Sequence, residues 1–185
     1  MVNRRAAVCV LLAASTQAGA RAAQPERPTA TESTCSGACS PREFNLMILA
    51  LTKLLLSREA TVEQIARRIG GTLERRRTGY WLHPAGPGLS EVWIGIEPAP
   101  TGEMLRYVRL RLAPPGVGGL EAFNQAFGPY ARMPAEPEGE AFSVRYRCDD
   151  ASLPYLGRIF VALSAEPSEP LARVTQVTIR REERL

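Results

Sequence analysis

The chain reads as an α+β protein: tandem α-β-β-β units forming an antiparallel sheet with helices packed on one face, plus one N-terminal apolar helix. Three observations carry that expectation. Runs with period-two alternation recur between residues 72 and 182. Two short amphipathic stretches, TVEQIARRIGG (61 to 71) and GLEAFNQAFGP (119 to 129), share an apolar stripe and a glycine stop, and each precedes three such runs. The 185 residues are 45% apolar and 23% charged, ordinary values for a soluble globular domain.

The N-terminus has the order of a secretory signal peptide, expected over residues 1–22. Arg4 and Arg5 lead an apolar run from Ala6 to Ala14, and Ala18-Gly19-Ala20 and Ala20-Arg21-Ala22 are small-x-small cleavage sites. The apolar run is about nine residues, where a membrane-spanning helix needs about 20. The expectation is an exported protein, periplasmic or extracellular, with no transmembrane segment in the mature chain. Cys9 lies inside the apolar run and Cys35 follows no apolar stretch, which argues against a lipoprotein.

Cleavage after Ala22 removes three of the 23 basic residues (Arg4, Arg5, Arg21) and none of the 19 acidic ones, leaving a net charge of +1. Nucleic-acid binding is therefore not expected, because it needs an excess of positive charge to neutralise phosphates.

Residues 23–41 are rich in Pro, Ser, Thr and Ala without apolar periodicity and read as a flexible lead-in to an α+β domain over 42–185. Ser40, Pro41 and Glu43 form a helix start of the capping-box type before the apolar run 44 to 57. Pseudo-repeats are expected over about 58–113 and 116–182. In the first, Val62, Ile65, Ala66 and Ile69 form a helical stripe after the N-cap Thr61. Strands are expected at 72–83, 90–97 and 104–113. In the second, Leu120, Phe123 and Phe127 repeat the stripe, and strands are expected at 141–148, 157–165 and 172–182.

This order of elements resembles the β-lactamase inhibitor proteins and the small outer-membrane assembly lipoproteins, which share a helix-then-three-strands unit. Phe127-Gly128-Pro129 is similar to their helix-ending step, and Ile69-Gly70-Gly71 less so. The resemblance spans about residues 43 to 182 in topology. It implies binding of another protein, often through an open sheet face.

The same strand parity sets Trp93, Tyr107, Arg109, Arg111, Arg145 and Arg147 on the polar side of the sheet. Trp, Tyr and Arg are the residue types most enriched at binding hot spots, so these six are the candidate partner-binding residues, with Arg75-Arg76-Arg77 as a possible extension. The bland alternative is that the arginines only solubilise an exposed sheet. An enzyme would have to use His83, the one histidine, with Asp149 or Asp150. A third possibility is a scaffold holding a lipid or small ligand in an apolar cavity beneath the helix at 44–57. No cofactor, metal site or catalytic residue is assigned. Cys35, Cys39 and Cys148 remain after cleavage, and three pairings of one disulfide are open.

Overall fold

The computed structural model describes residues 40–86, 88–100, 102–134 and 142–184. The signal-peptide and lead-in expectations, with Cys35 and Cys39, lie outside these residues. The described part is α+β, with three helices and a nine-stranded antiparallel sheet.

Helix α1 (Pro41–Leu55) opens on the expected capping box, in which the Ser40 hydroxyl accepts from the Glu43 backbone N–H and the Glu43 carboxylate accepts from the Ser40 backbone N–H. Two otherwise orphaned backbone donors are thereby satisfied. Those contacts hold the Glu43 carboxyl below its usual range. Helix α2 (Val62–Ile69) has a second capping box between Thr61 and Gln64, and ends at Gly70 with φ of 80°. Helix α3 spans Glu121–Phe127 and stops at Gly128, also at positive φ.

The run at 72–83 is two strands, not the one the periodicity suggested. It folds as a hairpin of β1 (Gly71–Arg76) and β2 (Gly79–Pro84) about Arg77 and Thr78. The arginine triplet supplies no apolar residue to hold a long strand on the core. Gly79 lies so close to the Ile94 carbonyl that a Cβ would collide with it. The sheet continues with β3 (Leu89–Ala99), β4 (Gly102–Leu112), β5 (Val117–Gly118), β6 (Ala131–Arg132), β7 (Phe142–Cys148), β8 (Tyr155–Leu163) and β9 (Arg173–Glu183). Its order is β1-β2-β3-β4-β9-β8-β7-β6, with the short β5 against β9. Each meander therefore has four strands rather than three, and the last strands of the two meanders, β4 and β9, meet in the middle.

One sheet face carries the core. Val92, Ile94, Val108, Leu110, Val177, Ile179, Ile159 and Val161 are fully buried there. Phe44, Ile48, Leu51 and Leu55 of α1, Ile65 of α2 and Phe123 of α3 join the same cluster. Each such side chain contributes about 1.5–3 kcal/mol on burial. The alternation slips once in β9: a bulge between Ala162 and Leu163 pairs Leu163 with Val174, so Val174 is buried and Thr175 is half-buried with its hydroxyl donating to the Ala162 carbonyl.

Candidate functional site

Directly opposed residues of an antiparallel pair lie on the same face, so the register traces the other side of the sheet. One row runs Glu74, Trp81, Trp93, Arg109, Thr178, Phe160 and Arg145, from β1 to β7. The row beside it runs Arg76, Gly79, Gly95, Tyr107, Arg180, Arg158 and Arg147. Arg111 begins the next row, between Glu91 and Gln176. All six residues expected on the polar side thus share one face. Trp81, Phe160, Arg158, Arg180 and Arg76 join them.

Arg75 and Arg77 do not extend the face. Arg75 alternates to the opposite side, where it pairs with Glu103 and lies 4.6 Å over the Tyr80 ring. That contact holds the Glu103 carboxyl below its usual range. Arg77 sits in the hairpin turn.

The aromatic groups form an ordered cluster. Trp93 Nε1 donates to the Tyr107 hydroxyl at 3.0 Å. Trp81 meets Trp93 edge-on, with ring centroids 5.5 Å apart. The Tyr107 ring lies where a Cβ of Gly95 would be, and Trp93 Cζ2 is 3.1 Å from the corresponding position at Gly79. Two glycines thus make room for rings lying along the sheet. The Arg109 guanidinium stands 5.8 Å from the Tyr107 ring centroid, within reach of a cation–π contact.

The cations are unequally occupied. Arg158 and Arg180 share Glu182 at 2.8 and 4.0 Å. Arg147 pairs with Asp149 at 2.8 Å, Arg111 with Glu91 at 3.5 Å and Arg76 with Glu74 at 2.8 Å. Among the described residues no carboxylate lies within ion-pair distance of Arg109 or Arg145. Among the described residues, seven arginines of this face thus meet four carboxylates (Glu74, Glu91, Asp149, Glu182), a positive excess in a chain expected to be near neutral after cleavage.

The residues considered for catalysis do not come together. His83 is exposed on β2, with Nε2 3.2 Å from a Glu74 carboxylate oxygen. Asp149 and Asp150 follow β7, five strand spacings away, or about 24 Å. Both aspartates are otherwise engaged. Arg147 first, and Arg184 with it, hold the Asp149 carboxyl below its ordinary range. Asp150 accepts from the backbone N–H and hydroxyl of Ser152 at 2.9 and 2.7 Å, as in an Asx turn. Cys148 is half-buried and bonded to no described residue; burial first, then Asp150, pushes its thiol up, away from the reactive thiolate. Among the described residues no group of three metal-ligating side chains is present, and no helix is long and apolar enough to cross a membrane.

The space beneath α1 is filled: Phe44, Ile48, Leu51 and Leu55 are each 1% exposed or less. A groove of about 710 Å³ lies beside it, between α1 and α3, lined by Leu46, Leu49, Ala122 and Ala126 among others. The Asn45 amide at this groove has no hydrogen-bond partner among the described residues.

No protein-family model matches this chain, and no curated protein and no solved structure matches it.

Proposed function

We propose that this chain is an exported, non-enzymatic module that binds another protein through the open face of its sheet. An inhibitor, an immunity-type neutraliser or an envelope accessory factor would each use such a face. The observation that carries the reading is the register. It gathers Trp93, Tyr107, Arg109, Arg111, Arg145 and Arg147 on the face that no described helix covers, while His83 and the two aspartates stand far apart. The two meanders, each a helix followed by four strands and joined at β4 and β9, support a tandem duplication as the origin of the sheet. The resemblance to β-lactamase inhibitor proteins points the same way, although the unit here has one more strand.

The test uses the chain from residue 23 as bait in extract from the compartment it occupies. Changing Arg109, Arg111, Arg145 and Arg147 to Glu should abolish the bound protein, with circular dichroism unchanged, and His83→Ala should leave it in place. A partner retained by the four-fold variant, or an activity lost with His83→Ala, overturns the reading. For export, the N-terminus of the secreted product should fall near Arg21 or Ala23; an intact Met1 in a cytoplasmic fraction overturns it.

A further inference from the structure

The open face divides into two halves of different chemistry. On β2, β3 and β4 it presents Trp81, Trp93 and Tyr107. On β7 and β8 the places corresponding to Trp81 and Trp93 hold Arg147 and Arg158, and on β9 the place of Tyr107 holds Thr178. Trp93 stands opposite Arg109 of β4 as Arg158 stands opposite Arg180 of β9, and Trp81 stands opposite Trp93 as Arg147 stands opposite Arg158. One half is an aromatic plate, the other a cationic one.

The aromatic half is already organised. Its rings lie over Gly79 and Gly95 and are tied by the Trp93–Tyr107 hydrogen bond. Little side-chain freedom remains to be lost when something docks there. Among the described residues, the two arginines of this face with no carboxylate in ion-pair distance are Arg109, on the border of the plate, and Arg145, three strand spacings or about 14 Å away. Thr178 and Phe160 lie between them. Each remaining arginine of the face has a carboxylate in ion-pair distance: Arg158 and Arg180 share Glu182, Arg147 has Asp149, Arg111 has Glu91 and Arg76 has Glu74.

Resting on the protein-binding reading above, we infer that the partner is an acidic polypeptide that sets an aromatic or apolar side chain on the Trp81–Trp93–Tyr107 plate and carboxylates on Arg109 and Arg145. A guanidinium fork matches a carboxylate in shape and charge. A nucleic-acid strand fits less well, because it brings a phosphate with every nucleotide to a face that also carries fixed glutamates.

The two tryptophans of the chain are Trp81 and Trp93, so its indole emission reports on this face alone. The experiment titrates the full chain with four probes while following tryptophan emission: a glutamate–tyrosine copolymer, poly-glutamate, poly-lysine and poly-uridylate. The copolymer should shift the emission saturably. Poly-glutamate should bind about tenfold more weakly, for want of an anchor on the plate. Poly-lysine should have no effect. Arg109→Gln with Arg145→Gln should weaken the copolymer about tenfold or more, with far-ultraviolet circular dichroism unchanged. Poly-uridylate binding as tightly as the copolymer would make the ligand a nucleic acid and overturn the inference. Equal binding of poly-glutamate and the copolymer would remove the aromatic anchor from it, and so overturn it as well. Absence of any shift with the copolymer overturns it outright. A chain that ignores the copolymer yet still loses its captured protein in the four-fold glutamate variant keeps its binding face and loses only the acidic partner.

Discussion

Replacing Arg181 by Met should make the protein more stable, although it removes a buried charge. Arg181 lies on the helix side of β9 and is 5% exposed. Its guanidinium lies 4.2 Å from the centroid of the Tyr155 ring, and Nη1 reaches the Leu55 carbonyl of α1 at 3.5 Å. Among the described residues no carboxylate is within ion-pair distance. The cation–π contact is worth about 0.5–2 kcal/mol, and the long hydrogen bond at the helix end less than about 1 kcal/mol. Against them stands a desolvation cost of several kcal/mol for a buried ion. Burial is the leading cause that lowers the Arg181 pKa. A base so shifted costs stability wherever it is protonated, and at neutral pH that cost is fully present. Met keeps an unbranched stem, fills irregular space and carries no charge. The expected gain is about 1–2 kcal/mol. Arg181→Ala loses the stem as well and should fall about 2–4 kcal/mol below Arg181→Met through the cavity it leaves. Urea unfolding followed by tryptophan emission, with midpoints compared at equal slope, measures both. A loss of more than about 1 kcal/mol in Arg181→Met would refute the reasoning, because the contacts to Tyr155 and Leu55 would then outweigh desolvation.

Three further predictions test other parts of the molecule. Gly95→Ala should displace the Tyr107 ring, break its bond to Trp93, change the tryptophan emission and cost about 1–3 kcal/mol. Gly118→Ala, where a Cβ meets open space, should be nearly neutral. Equal effects at the two glycines would contradict the close packing of Tyr107 on Gly95. Arg147→Gln should raise the Asp149 pKa toward its ordinary value, and by more than Arg184→Gln does, as read by carboxyl NMR titration. Stability tied to that carboxylate is present above its unfolded value near 3.8 and is lost as pH falls through the depressed folded value; an unmoved Asp149 in both variants would contradict the assignment. Cys148 lies beside Leu56, at the far end of α1 from Ser40. Fifteen helical residues span about 22 Å, whereas Cys39 is one residue before Ser40 and bridged Cα atoms lie within about 7 Å. With α1 capped at Ser40, a Cys39–Cys148 bridge is not expected. Peptide mapping of the oxidised protein should give no Cys39–Cys148 link, and finding one would contradict the placement of Cys148.

Much of the frame was legible because local rules and tertiary packing agree. The caps at Ser40 and Thr61 carry their own hydrogen-bond logic. The parity of β4 and β7 could be read directly, since Val108 and Leu110, like Val144 and Tyr146, alternate cleanly with charged or half-exposed residues. The hairpin at Arg77-Thr78 was not legible, because a strand turned back on itself keeps the same composition. Missing it hid Trp81, whose place beside Trp93 appears only once β2 is separated from β1. Arg158 and Phe160 were hidden differently: β8 is the most apolar strand, and its polar side shows only when paired with β9. The rings over Gly79 and Gly95 had no sequence signal beyond two glycines in strand patterns. The groove between α1 and α3 depends on how helices distant in the chain approach one another, which periodicity does not specify.

The meeting of β4 with β9 has a kinetic consequence. Apart from the short β5, every other ladder joins strands adjacent in the chain, so the two meanders can form early from near neighbours. Pairing Val108 with Ile179 closes a loop of about seventy residues, and relative to a tight hairpin this adds about 2–3 kcal/mol of closure entropy. Truncating Val108 or Ile179 should then act mainly on the folding rate if the seam forms at the barrier, and mainly on the unfolding rate if it forms after it. The open face shares this dependence, because Arg109 and the plate beside it come into line with Arg145 only when the two halves have joined.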